Sequence, residues 1–140
     1  MTVFVDTRAW VALALKRDQY HSAATAQHQA LRKQRRRYVT TNFVLSELIT
    51  QLYLLLPHTQ AQPFVTALLT AADAGDYVVV HVSANQFRKA WDLRKRYHDK
   101  PDTSFVDLTS MAVMQDLGIV DVFTGDAHFR RINLGFQLFP

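Results

Sequence analysis

Four acids in this 140-residue chain, Asp6, Glu47, Asp107 and Asp126, have the type and placement to do chemistry together. Asp6 follows Val3-Phe4-Val5, a run of β-prone apolar residues, and precedes Ala9, Trp10, Val11 and Leu13, which read as a buried helix. A carboxylate there either caps the helix or lies at the carboxyl end of a core strand, where open α/β sheets bind their ligands. Asp126 repeats the arrangement just past Val122-Phe123-Thr124, while Glu47 and Asp107 fall early in helices that start from the same edge. Carboxylates brought together repel and raise one another's pKa, so such a cluster is tolerable mainly with cations among them. The chain has no cysteine, which leaves oxygen or imidazole as ligands, and oxygen ligation selects Mg²⁺ or Mn²⁺. The chemistry of such a site is metal-assisted hydrolysis of a phosphate ester.

The elements that must position these acids can be read along the chain. Strands alternate with helices, which predicts an α/β fold with a parallel sheet and helices on both faces. The first helix ends near Lys16 to Asp18, and a second, rich in Ala and Gln, runs from His21 to about Arg36. Tyr38-Val39-Thr40 is a short strand, and Thr41-Asn42 supplies cap chemistry for a helix from Phe43 to about Leu56, closed by Pro57. Glu47, the only Glu in the chain, falls off that helix's apolar stripe, on a flank shared with Phe43 and Gln51. Its place also suits the helix dipole. Pro63 opens a helix to Ala72, Gly75-Asp76 turns the chain into a strand from Tyr77 to Val82, and Ser83 caps a helix from Ala84 to about Tyr97. A nearly all-apolar helix then begins near Ser104 and runs to Leu117-Gly118, with Asp107 in line with Met111 and Met114; Ser104 and Asp107 also fit a capping box. Strands over Ile119 to Thr124 and Gly135 to Leu138 complete the pattern. No repeat, low-complexity tract or linker interrupts it, so residues 1–140 read as one domain.

A net charge of +4 and a pI near 9.6 suit an anionic partner. Two basic surfaces stand out. Arg32, Lys33, Arg35, Arg36 and Arg37 close the second helix, and Arg88, Lys89, Arg94, Lys95 and Arg96 line a later one. Cations at helix ends complement the dipole, and they also contact phosphates. Asp6 and Arg8 interrupt any signal-peptide core, and no apolar run approaches a membrane span, so a cytoplasmic protein is the expectation.

Four segments together carry a resemblance: Val3-Phe4-Val5-Asp6-Thr7, Thr41-Asn42-Phe43-Val44-Leu45-Ser46-Glu47, Ser104-Phe105-Val106-Asp107, and Phe123-Thr124-Gly125-Asp126-Ala127-His128-Phe129. They are similar to the signature segments of the PIN-domain nucleases, and within that family to the VapC-type ribonuclease toxins of bacterial toxin–antitoxin pairs. The resemblance covers essentially the whole chain. It implies a parallel sheet in the order 3-2-1-4-5, with Asp6, Glu47, Asp107 and Asp126 ligating one or two Mg²⁺ or Mn²⁺ ions. It also implies Thr124, Ser104 and Thr7 as supporting hydroxyls, RNA as substrate, a cognate antitoxin as partner, and a homodimer. Ala127 departs from relatives that carry a basic residue between the Asp and the His. Asp99, Asp102 and Asp121 read as turn or strand-end residues, and His128 as packing or capping locally.

Rival readings fit less well. A haloacid-dehalogenase-like phosphatase requires a second Asp two residues after the first, where this chain has Arg8. A phosphoacceptor receiver domain wants an acidic pair ahead of its acceptor and a lysine after a late strand. A catalytically silent PIN-like module that only binds RNA or protein has no use for four mutually repelling carboxylates.

Overall fold

The computed structural model describes residues 1–125, 128–132 and 134–139. The elements run β1 (Thr2–Val5), α1 (Thr7–Ala14), α2 (His21–Lys33), β2 (Arg37–Thr41), α3 (Asn42–Leu55), α4 (His58–Asp73), β3 (Val78–Val80), α5 (Ala84–Arg96), α6 (Phe105–Leu117), β4 (Asp121–Phe123), α7 (His128–Arg131) and β5 (Gln137–Phe139). The strands form one sheet in the order β3-β2-β1-β4-β5, and every pairing is parallel. This is the architecture the sequence resemblance implied.

β1 takes the middle because it is apolar on both sides. Val3, Phe4 and Val5 point alternately to opposite faces and each is 0% exposed, so helices must cover both. One face carries Tyr38 and Thr40 of β2. There Trp10 of α1 donates to Thr40 Oγ1 at 3.5 Å, and His28 of α2 meets the Tyr38 hydroxyl at 2.8 Å. Val39 and Thr41, which alternate to the other face, are buried as well.

Short-range chemistry fixes where the helices begin. Thr41 caps α3 by accepting the Val44 N–H at 3.1 Å, and Asn42 accepts the Val82 N–H at 2.9 Å, tying the exit of β3 to the start of α3. Ser83 and Gln86 form a full capping box on α5. Ser104 caps α6 by accepting the Asp107 N–H at 3.1 Å, and Gly118 ends it in the left-handed region at φ 68°. From Gly118 the chain needs only two residues to reach the amino end of β4. α6 therefore runs back across the sheet and starts at the carboxyl edge.

Several boundaries differ from the sequence expectation. α2 stops at Lys33 rather than Arg36, because Arg35 turns the chain at φ 55° and Arg37 already belongs to β2. α4 starts at His58, after Pro57, and carries Pro63 inside it rather than at its opening. Pro63 lacks the N–H that would bond back to Thr59, a local loss the helix tolerates. The strand expected over Tyr77 to Val82 pairs only from Val78 to Val80, since it lies at an edge with β2 as its one neighbour. The strands expected over Ile119 to Thr124 and Gly135 to Leu138 narrow to Asp121–Phe123 and Gln137–Phe139, and the short α7 was not foreseen.

Candidate active site

Asp6 occupies the N-cap position of α1 yet makes no side-chain cap bond. Its backbone N–H donates to the Phe123 carbonyl at 3.2 Å, which sets it beside the end of β4. There the Thr124 hydroxyl donates to Asp6 Oδ2 at 2.9 Å. Both residues are buried, Asp6 at 1% and Thr124 at 0% exposure. The carboxylate lies at the carboxyl end of the central strand, the edge at which open α/β sheets bind their ligands, and its side chain does not cap α1.

Asp107 lies in the first turn of α6, which the topology starts from the same edge, and it too is buried. Glu47 is half-buried on α3, on the flank expected from helical spacing. With Phe43, Ser46, Thr50 and Gln51 it lines an open groove of about 430 Å³, and Val106, the neighbour of Asp107, closes the far wall. Of the three described candidate acids Glu47 is thus nearest solvent, and Asp6 and Asp107 lie deeper.

The fourth expected acid, Asp126, lies outside the described residues, as does Ala127. Among the described residues no three His, Asp or Glu side chains come together as a metal cluster. The donors that are described suit a hard cation. Asp6 and Asp107 are buried carboxylates, and the hydroxyl of Thr7, next to Asp6, is buried with no hydrogen-bond partner among the described residues. An all-oxygen set of this kind favours Mg²⁺ or Mn²⁺. Ser104 contributes by capping α6 and so fixing the turn that carries Asp107.

The structure separates the basic residues into two kinds. Arg32, Lys33, Arg35, Arg37, Arg88, Lys89, Lys95 and Arg96 are exposed. Of these, Lys89 pairs with Asp116 at 2.9 Å and Lys95 with Asp92 at 3.2 Å, weak surface contacts. Lys89, with Gln86, holds the Asp116 carboxyl below its ordinary pKa. Arg36 and Arg94 are a correction to the expected RNA-binding set. Arg36 turns inward to an ion pair with Asp121, its side chain 8% exposed and its guanidinium 5.5 Å from the Phe139 ring centre. Arg94 donates to the carbonyls of Thr103, Tyr97 and Lys100 at 2.7, 2.6 and 2.8 Å.

Asp99 and Asp102 lie in turns and Asp121 begins β4, as the sequence suggested, whereas His128 reaches beyond its own segment. Asp102 pairs with Arg131 at 2.9 Å and Asp99 with Lys100 at 3.1 Å, both at the surface. His128 Nδ1 meets the Thr103 hydroxyl at 3.1 Å. Sequence reasoning missed the aromatic wall beside the groove. Phe43 of α3, Phe87 of α5 and Phe105 of α6 stack edge-on, with centroids 6.2 and 5.1 Å apart. The available signal was Phe87 and Trp91, apolar residues four apart on the otherwise polar outer side of α5.

Fold and site together define the chain as a member of the PIN-domain family, whose sequence profile matches residues 3–134. Over 91% of its length it is 33% identical to the 23S rRNA-specific endonuclease VapC20 of Mycobacterium tuberculosis, covering 91% of that protein. The crystal structure of M. tuberculosis VapC20, described as a sarcin-ricin loop cleaving toxin, superposes with a TM-score of 0.78 at 32% identity, covering 94% of this chain and 95% of that one. VapBC2 from Rickettsia felis, solved bound to a DNA fragment from its promoter, shares the fold at TM-score 0.73 and 16% identity, over 99% of this chain and 98% of the other. A toxin–antitoxin complex from Klebsiella pneumoniae shares it at 0.67 and 17%, over 99% and 96%. Among the described residues no helix is long and apolar enough to cross a membrane.

Proposed function

We propose that this protein is a Mg²⁺- or Mn²⁺-dependent endoribonuclease, the toxin of a toxin–antitoxin pair. The observation that carries the reading is Asp6, a carboxylate 1% exposed at the end of the central strand, engaged by Thr124 rather than by a helix cap. The 33% identity to a named endonuclease supports it. Asp6, Glu47, Asp107 and Asp126 hold one or two ions. When bound, the metal supplies Lewis acidity at the phosphate and lowers the pKa of a water.

The chain's own residues orient and screen. Thr124 pins one oxygen of Asp6, so the carboxylate needs little reorganisation. Ser104 fixes the first turn of α6 and with it the backbone of Asp107. Glu47 lines the groove together with Val106, the neighbour of Asp107, and is the acid that RNA entering the groove meets first. Hydrolysis adds the water oxygen to phosphorus and breaks one P–O ester bond, and the departing ribose oxygen takes the proton.

Arg32, Lys33, Arg35, Arg37, Arg88, Lys89, Lys95 and Arg96 are the cations available to steer RNA, and looped or unpaired RNA is the substrate class. The likeness to a 23S rRNA endonuclease makes a large-subunit rRNA loop the first substrate to try. Solved toxin–antitoxin complexes of the same fold support a small antitoxin as partner. A homodimer in the cytoplasm, folded as a single domain, completes the reading.

The test is cleavage of a structured RNA pool that includes 23S rRNA, with Mg²⁺, Mn²⁺ or EDTA, beside Asp6→Asn. Metal-dependent cutting that disappears in Asp6→Asn is the expected result. RNA left intact by the wild-type protein, with no metal binding in calorimetry, would leave a silent binding module in its place.

A further inference from the structure

The aromatic wall beside the groove lies in the right place to do more than pack. Phe43 shares α3 and the groove lining with Glu47, and Phe105 lies two residues before Asp107. Phe87 bridges them from α5 and remains 47% exposed, a large apolar surface left beside the groove that Glu47 lines. One turn further along α5, Trp91 is also 47% exposed, with the Lys95 ammonium 5.9 Å from its ring centre. Arg88, next to Phe87, is exposed on the same helix. Exposed rings interspersed with cations, beside the groove that Glu47 lines, match the needs of single-stranded RNA: a π-face for each base and a positive charge for each phosphate. A purely apolar partner would have no use for the cations, and a duplex would hide its bases from the rings.

We propose that Phe87, backed by Phe43 and Phe105 and extended by Trp91, is a stacking platform for unpaired nucleobases next to the scissile phosphate. This rests on the ribonuclease reading and deepens it, since it assigns the selection of unpaired RNA to named rings. Stacking is tolerant of base identity, so the platform selects strandedness rather than sequence.

The experiment uses the intact protein and two labelled RNAs of equal length, one unstructured and one a blunt hairpin duplex, with binding followed by fluorescence anisotropy and cleavage followed separately. Phe87→Leu keeps an apolar side chain and removes the ring, and Phe87→Tyr keeps the ring. Phe87→Leu should weaken single-strand binding about tenfold, leave duplex binding and the salt slope unchanged, and be rescued by Phe87→Tyr. Equal loss on both RNAs, or no loss on either, overturns the platform while wild-type cleavage still upholds the nuclease. A change of oligomeric state in Phe87→Leu, seen by light scattering, with single-strand affinity per site intact, would instead make this face a protein contact. No binding or cleavage by wild type removes both readings at once.

Discussion

The Thr124 hydroxyl donates a 2.9 Å hydrogen bond to Asp6 Oδ2, joining the ends of two adjacent parallel strands that lie 118 positions apart in the chain. The bond holds a buried carboxylate in one orientation before any ligand arrives. Thr124→Val keeps the shape and removes the donor. Outer partners of this kind are worth about 10- to 100-fold in metal affinity or activity. Thr124→Val should therefore need more Mg²⁺ for half-maximal cleavage, with activity recovering at saturating metal, whereas Thr124→Ser behaves as wild type. A metal titration of cleavage checks this, and an unshifted midpoint would make the bond merely structural.

Arg36 and Asp121 form an ion pair that is largely shielded from water, with side chains 8% and 16% exposed, between the turn into β2 and the first residue of β4. Removing one member leaves the other charge in a poorly solvated place, which costs about 3–5 kcal/mol for a fully buried pair. Arg36→Ala should lower the urea midpoint strongly, and the Arg36→Leu/Asp121→Leu double variant should recover most of the loss. The same Arg36→Ala protein should show the wild-type salt slope of RNA binding, because this cation does not face solvent. A lowered slope would return Arg36 to the RNA-binding set.

That pair also shows how far the sequence could be read. The central strand, its flanking helices and the positions of Asp6 and Asp107 at element ends were legible because each depends on local periodicity and capping: Val3-Phe4-Val5 before Asp6, Thr41 before α3, Ser104 before α6. Arg36 was not, since it sits in a run of similar cations and its direction is decided by a partner 85 positions away. The start of α4 was misread because Pro63 resembles a helix opening, while the actual break is at Pro57. The aromatic wall is assembled from three helices, so no single segment announces it. The acid at position 126 is an expectation of the motif and lies outside the described residues.

Titration of His28, Tyr38 and Tyr77 should be visible at both ends of the pH scale. Burial, helped by the charge of Arg32, lowers the pKa of His28 from 6.5. As pH falls through about 6.5 the unfolded chain takes up a proton that native His28 resists, so stability declines until the native pKa is passed. His28→Gln should flatten part of that decline, measured as thermal midpoints between pH 7.5 and 5.5. At the alkaline end, burial pushes Tyr38 and Tyr77 up to about 12, against 10 for an exposed tyrosine. The folded state holds these protons where the unfolded chain releases them, so stability is lost as pH rises from 10 towards 12. Ultraviolet titration of the native protein should show two late-ionising tyrosines, and Tyr38→Phe should remove one of them.

Arg94 is the residue whose replacement best separates positioning from RNA binding. Its planar fork gathers the carbonyls of Tyr97, Lys100 and Thr103, and so shapes the loop that delivers Ser104 and Asp107 to the carboxyl edge. The Thr103 hydroxyl, which meets His128, links the same loop to α7. A lysine keeps the charge but cannot serve three diverging acceptors at once. Arg94→Lys should cut cleavage and open residues 98–102 to limited proteolysis, yet leave the salt dependence of RNA binding as in wild type. Arg96→Ala, which removes an exposed cation from the same helix, should do the reverse, lowering the salt slope by about one with the loop still protected. Should Arg94→Lys instead lower the salt slope and keep the loop closed, the guanidinium contacts phosphate after all, and the loop is held by its proline and by Thr103.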